Sequence, residues 1–209
     1  TYIAIGGLVP LDINSCEEIV KSVRDEIGYD IKIHLLGFAK AKQLDRFIKY
    51  KITSFDSTSP LIRAFKDEKD NYYTPKDHYT AIRIPSSQKT PALKRKVSSG
   101  LVDQEEAEKL EEKALSSIRA YDKGEETLEN TLKALEEYEL IFRDKVPIQS
   151  YKDILSSKYW QKCQCEVCQS VKIETIIFRN SNRNRRRGFH NLWQFQRELE
   201  ELREVNNIC

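Results

Sequence analysis

Three cysteines are bunched at Cys163, Cys165 and Cys168, and His190 follows 22 residues after the last of them. Three thiolates and one imidazole are the donor set of a closed tetrahedral zinc site. Two cysteines on a tight loop arrive pre-oriented, and a helix-borne histidine completes the shell. Four protein ligands leave no open position, so such a zinc is structural, and its binding energy counts as folding energy for a small subdomain. The bland alternative is three reduced thiols in a loop near an unrelated core histidine; His34 and His78 are poorer fourth ligands by position. Cys16 and Cys209 stand apart. Without a secretory signal, the bunch reads as metal binding in a reducing cytoplasm rather than as a disulfide frame.

A second signal is Asp56, delivered by the apolar run Ile52-Thr53-Ser54-Phe55. In parallel α/β sheets ligands bind at the carboxyl ends of the strands, where a carboxylate can act as base, metal ligand or nucleophile. An Asx-turn aspartate ahead of Pro60 is the equally admissible structural reading. Gly6-Gly7-Leu8 and Gly37 close the two preceding strands, where glycine either lets backbone groups approach a planar ligand or merely turns the chain. A fourth signal is Arg179, Arg183, Arg185, Arg186 and Arg187, interleaved with Asn180, Asn182 and Asn184. Guanidinium groups pair with phosphates, so this stretch is either a nucleic-acid contact or a solvated basic loop.

The elements that must position these residues alternate. A buried strand over Ile3–Ile5 precedes a helix opened by Ser15 with Glu18 as its capping-box partner and closed by Gly28. A strand follows at Ile31–Leu36, a helix at roughly 41–50 with Leu44, Phe47 and Ile48 inward, and a strand at 52–55. This predicts parallel strands with right-handed crossovers. Three strands cannot close a sheet. They are either a small open sheet or the last part of a (β/α)8 TIM barrel whose front lies elsewhere, and the abrupt start at Thr1 favours the C-terminal part of a barrel. The expected organisation is the last barrel strands and helices over 1–65 and a hairpin and polar linker over 66–100. An acidic helical insertion follows over 101–146, read as a solvated pair of helices, then a zinc-binding subdomain with a C-terminal helix over 147–209. Within that last part, residues 171–178 read as a strand, the arginines as a turn, and 189–205 as the final helix.

Charge is dipolar. The chain carries 35 basic and 33 acidic residues, net +2. Residues 103–144 hold 14 acids and 6 bases, so the remainder carries +10, and residues 179–197 contain six arginines and no acid. The basic end is where a polyanion would bind. No run of about twenty apolar residues exists, which excludes a membrane-spanning helix.

Taken in order, Ile5-Gly6-Gly7-Leu8, Leu35-Leu36-Gly37, Phe55-Asp56-Ser57 and Cys163-x-Cys165-x-x-Cys168 followed by His190-Asn191 resemble the guanine transglycosylases. The resemblance covers roughly residues 1–84 and 148–209. It implies a (β/α)8 barrel with a zinc subdomain near the C-terminus. The stretch from Phe55 to Leu61, with Phe65-Lys66-Asp67 and Asn71-Tyr72-Tyr73-Thr74, looks most like the branch that acts on DNA. Members that act on tRNA follow Phe-Asp with a Pro-Thr-Arg segment. Here Pro60 leads into Leu61, Ile62 and only then Arg63, which fits a different nucleic acid.

The resemblance further implies exchange of guanine in DNA for a 7-deazaguanine base of the 7-cyano type. Asp56 would attack the sugar. Gly6, Gly7 and Leu8 would frame the base, with Leu36 and Gly37 walling it. Lys40, Arg63, Arg183, Arg185, Arg186 and Arg187 would contact phosphates. The carboxylates that read guanine belong to the family's N-terminal barrel half, so this chain is expected to be inactive without it. The alternatives are a tRNA-guanine transglycosylase of the queuosine or archaeosine type, a non-catalytic zinc-containing nucleic-acid-binding subunit, and a zinc-ribbon regulator. Partner proteins of a DNA-modification system are also expected.

Overall fold

The computed structural model describes residues 1–38 and 43–205. Among the described residues the fold is mixed α/β, dominated by helix, with three small sheets. The chain divides into two compact units, residues 1–60 together with the chain from Phe195 onward, and Leu61–Gln194.

In the first unit three parallel strands lie in the order β1 (Tyr2–Ile5), β2 (Lys32–Leu35), β3 (Ser54–Phe55). Ala4 registers with His34, and His34 with Ser54. Between them run α1 (Ile13–Ile27) and α2 (Asp45–Ile48). Cys16 and Val20 of α1 and Phe47 of α2 pack on Ile5, Ile33 and Leu35, so both helices cover the same face. The sheet is therefore buried on one side, where the sequence read its first strand as buried outright. Tyr2 is half exposed, and Ala4 is exposed beside it. The α1 cap is also one turn earlier than expected. Asp12, not Ser15, is the N-cap and accepts from the Asn14 and Ser15 amides, while the Ser15 hydroxyl donates back to it at 2.6 Å. A short acceptor just outside the first turn satisfies its orphan donors. Gly28 closes α1 with a positive φ of 70°, as expected.

Arg24 in α1 is a strut that charge patterning does not single out. Its guanidinium is 1% exposed and donates to the carbonyls of Tyr50, Gly28, Ile31 and Lys51. A buried cation tolerates such a site when its donors are satisfied by carbonyl oxygens.

The second unit is larger. Helix α3 (Ser59–Lys66) leads into it, and β4 (Tyr72–Tyr73) pairs antiparallel with β5 (His78–Tyr79), the expected hairpin. Strand β6 (Ile82–Arg83) runs parallel to β7 (Ile177–Phe178). The polar stretch read as a linker contains α4 (Pro91–Ser98), with Leu93 fully buried. Proline at the first helical position suits the fixed φ there. Helices α5 (Gln104–Lys123) and α6 (Leu128–Leu140) fall where two helices were expected, and Gly124 caps the first in a left-handed conformation. They are not a solvated pair, however. Ala114, Ile118, Leu135 and Tyr138 lie in the main core with Trp160 and the cysteines. Two of their acids are turned inward: Glu111 accepts from the Ser87 amide at 2.6 Å and pairs with Arg179, and Glu139 accepts from Tyr151. The acidic stretch is amphipathic, with one face that belongs to the core.

Helices α7 (Ile148–Ser157), α8 (Tyr159–Lys162) and α9 (Glu166–Val171) follow. The strand expected over 171–178 is mostly a 3-10 turn, Lys172–Ile176, with only Ile177 and Phe178 in β7. The arginine run is not a turn but the start of α10 (Ser181–Val205). Asn180 Oδ1 accepts from the Arg183 amide at 3.0 Å and so starts the helix. No helix among the described residues is long and apolar enough to cross a membrane.

Candidate metal centre and strand-end site

The metal centre is built in the second unit. Cys163 ends α8. Cys165 is the N-cap of α9 and its sulfur accepts from the Cys168 amide at 3.3 Å, so the C-x-C-x-x-C spacing becomes a sulfur-capped helix start. His190 enters from α10. Its Nδ1 lies 3.6, 3.4 and 3.4 Å from the sulfurs of Cys163, Cys165 and Cys168. All four ligand atoms fall within 4.8 Å of one another, and all four residues are buried. Tetrahedral zinc, with bonds of about 2.3 Å to sulfur and 2.05 Å to nitrogen, puts neighbouring S and N atoms about 3.5 Å apart. The donor set therefore fits a metal ion. Hydrogen bonds from Cys163 and Cys168 hold the Cys165 thiol far below the ordinary range, and the same crowding pushes Cys168 far above it. Three sulfurs this close cannot all ionise without a cation.

The surrounding shell orients these ligands. His190 Nε2 donates to the Tyr73 carbonyl at 2.8 Å, which fixes Nδ1 as the ligand atom. The Tyr72 ring stacks on the imidazole, centroids 4.4 Å apart. Gln194 donates to Cys163 Sγ at 3.4 Å. Asn191 accepts from the Tyr73 amide and donates to the Asn71 carbonyl, tying α10 to the hairpin. Tyr72, Tyr73, Asn191 and Gln194 escaped a ligand-centred reading. Their signal was present as Asn191 and Gln194, one and four places after His190 on one helix face.

The strand-end site lies in the first unit. The Asp56 amide donates to the Leu35 carbonyl and the Leu36 amide to the Ile5 carbonyl, so the ends of β1, β2 and β3 stay in register beyond the strands. There the Gly37 amide donates to Asp56 Oδ1 at 3.0 Å, and His34 Nε2 lies 3.2 Å from the same oxygen. The Gly37 bond, and after it His34, hold the Asp56 carboxyl below its ordinary value. Gly37 sits at φ +64°, and a Cβ there would meet Val9 at 3.0 Å, so any side chain at this position is strained. A Cβ at Gly6 would lie 3.6 Å from Leu36, which is half exposed. Gly6, Gly7, Leu36, Gly37 and Asp56 are thus neighbours along one sheet end. Leu8 is the exception. Its side chain is 1% exposed in the core, so it frames no ligand, because the turn after Gly7 at φ +76° directs it inward.

The arginines divide. Arg187 is fully buried and donates to the carbonyls of Ile177 and Ala64 and to Asn184 Oδ1. It is a structural strut and no phosphate contact. Arg183 is held by Glu174 at 2.5 Å, and Arg63 faces Asp67 at 3.9 Å. Arg185 and Arg186 are exposed. Period-3.6 geometry, invisible while the run was read as a turn, separates them: 183 and 187 share a face, and 185 and 186 point elsewhere. Lys40 lies outside the described residues.

Comparison with known proteins finds a curated relative in Salmonella montevideo described as "DNA-guanine transglycosylase", 40% identical over 195 residues. The likeness is to a DNA-guanine transglycosylase. The match takes in 91% of this chain and 47% of the relative, so the chain spans about half the length of the protein it resembles. No family model matches.

Proposed function

We propose that the chain forms part of a guanine transglycosylase that exchanges guanine in DNA for a 7-deazaguanine base, with Asp56 as the nucleophile. The observation that carries this reading is the convergence of Asp56 with Gly6, Leu36 and Gly37 at the carboxyl end of three parallel strands. The relative's name supports the reaction class and the nucleic acid. Three parallel strands in sequential order with both helices on one face suit a (β/α)8 barrel segment as they suit one half of a doubly wound sheet, whose helices change face only where the strand order reverses; the likeness to a transglycosylase favours the barrel. On this reading residues 1–65 are the last strands and helices of the barrel, and the polar face of β1–β3 is its interior.

Asp56 Oδ2 attacks C1′ of the target nucleotide. An O–C1′ ester forms as the C1′–N9 bond breaks, and the bonding pair passes to guanine, which takes a proton from solvent. The incoming base then attacks C1′ through N9, loses its N9 proton to solvent, and returns the ester pair to the Asp56 carboxylate. Leu36 lines the base pocket, with the Gly6 and Gly7 backbones beside it. The target nucleotide must leave the stack, at about a few kcal/mol, and cationic contacts to phosphate offset this. Arg185 and Arg186, with Arg63, are the candidates. The four-ligand centre holds zinc as a structural ion, stabilising the packing of Tyr72, Tyr73 and α10.

The experiment supplies the intact protein with labelled guanine and either duplex DNA or tRNA. Label should enter DNA and not tRNA, and Asp56→Ala should abolish incorporation while metal stays bound. Incorporation into tRNA alone would select the tRNA-modifying alternative. Undiminished exchange by Asp56→Ala would remove Asp56 as nucleophile.

A further inference from the structure

We propose that His34 is a positioning residue for Asp56, and that its role is to make the covalent sugar intermediate short-lived. This rests on Asp56 being the nucleophile and goes beyond it by assigning a function to the open face of the sheet.

Four polar groups form a chain across that face. Tyr2 contacts Ser54 Oγ, Ser54 Oγ lies 2.8 Å from His34 Nδ1, and His34 Nε2 lies 3.2 Å from Asp56 Oδ1. Direction follows from the ends. An ionised carboxylate only accepts, so Nε2 carries the hydrogen. In the neutral imidazole Nδ1 is then the acceptor, Ser54 donates its hydroxyl to it, and Tyr2 donates to Ser54. The strand register places these groups: Ser54 sits opposite His34, and Asp56 is two positions beyond Ser54 on the same side. The ring is thereby held at both nitrogens and cannot rotate away from Asp56.

Among the described residues, two donors from other residues reach the carboxylate, Nε2–H of His34 and N–H of Gly37, and both land on Oδ1. Among the described residues no hydrogen bond reaches Oδ2. The carboxylate, whose side chain is 55% exposed, is fixed through one oxygen and offers the other. This asymmetry matters most on the return step. In the ester Oδ1 is a carbonyl oxygen, a weaker acceptor than a carboxylate oxygen. Two donors aimed at Oδ1 therefore favour the released carboxylate over the ester, and hasten transfer of the sugar to the incoming base.

The test uses the intact protein with duplex DNA and free guanine, quenched by denaturation during turnover. Mass spectrometry of the Asp56 peptide reads the ester, and steady-state exchange reads kcat and KM for the base. His34→Leu should lower kcat by roughly ten- to a hundredfold, the worth of one charge-assisted hydrogen bond. KM should change little, and the fraction of protein carrying the ester should rise. His34→Gln restores a donor near the Nε2 position and should recover most of kcat, while Ser54→Ala should fall between. Metal content and near-ultraviolet circular dichroism check that the variants are folded. A fall in kcat with no rise in trapped ester, or wild-type kinetics in His34→Leu, would overturn the proposal. Active exchange with no Asp56 adduct in wild type or any variant would instead remove the nucleophile reading on which the proposal stands.

Discussion

Removal of the metal proposed for the four-ligand centre is the sharpest perturbation of the second unit. Cys163, Cys165, Cys168 and His190 are all at most 2% exposed; the cysteines belong to the same core as Trp160, Tyr72 and Ile176, and Tyr72 stacks on His190. Stripping the cation leaves crowded thiols and a buried imidazole without their central charge, a change of the kind that costs about 3–5 kcal/mol when one member of a buried charged set is deleted. The unit, Leu61–Gln194, has roughly 130 residues and so an unfolding entropy of about 0.27 kcal/mol/K at its midpoint. The midpoint should therefore fall by about 10–20 °C. Differential scanning calorimetry with and without a strong chelator measures this, and elemental analysis should find one metal per chain. Cys168→Ser should reproduce the loss. Cys16→Ser, a buried thiol of the first unit whose Sγ lies 3.5 Å from the Leu8 carbonyl, should leave stoichiometry unchanged. Protein that purifies with far less than one equivalent of metal, or whose midpoint moves by under about 4 °C on chelation, would refute the reasoning.

The arginine run should split by function. Arg187→Leu leaves the Ala64 and Ile177 carbonyls and Asn184 without their donor and should destabilise the protein by about 2–4 kcal/mol in urea titrations. Arg185→Ala with Arg186→Ala should leave stability within about 0.5 kcal/mol and reduce the slope of log K against log salt for DNA binding by about 1.8. Gly37→Ala forces a Cβ into a left-handed backbone against Val9 and should cost about 1–2 kcal/mol, with exchange falling because the Gly37 amide holds Asp56. Glu17 tests the pH dependence. Lys49 and Arg46 lower its carboxyl from 4.5 to about 2. Its contribution is thus present above the unfolded value and lost as pH falls through about 2. Glu17→Gln should be less stable than wild type at pH 7, and the difference should vanish near pH 2, as chemical denaturation at the two pH values will read.

Residue type and spacing along the chain carried the metal ligands and the strand-end carboxylate. A C-x-C-x-x-C bunch needs only a loop to converge, and an aspartate that ends an apolar strand is placed by the strand itself. The alternation of β1, α1, β2 and α2 was legible because periods of 2 and 3.6 in apolar residues are local properties. Tertiary structure decided the rest. Whether Arg187 or Arg186 meets solvent depends on helical phase, and that phase was set by Asn180 starting α10 eight residues before the expected point. Whether α5 and α6 are a solvated pair or a core element depends on what their apolar face meets. That His34 and Ser54, twenty positions apart, grip one another depends on strand register. Ligand chemistry is written in adjacent letters, whereas burial and cross-strand partnership are properties of pairs distant along the chain, fixed only when packing brings them within hydrogen-bonding distance.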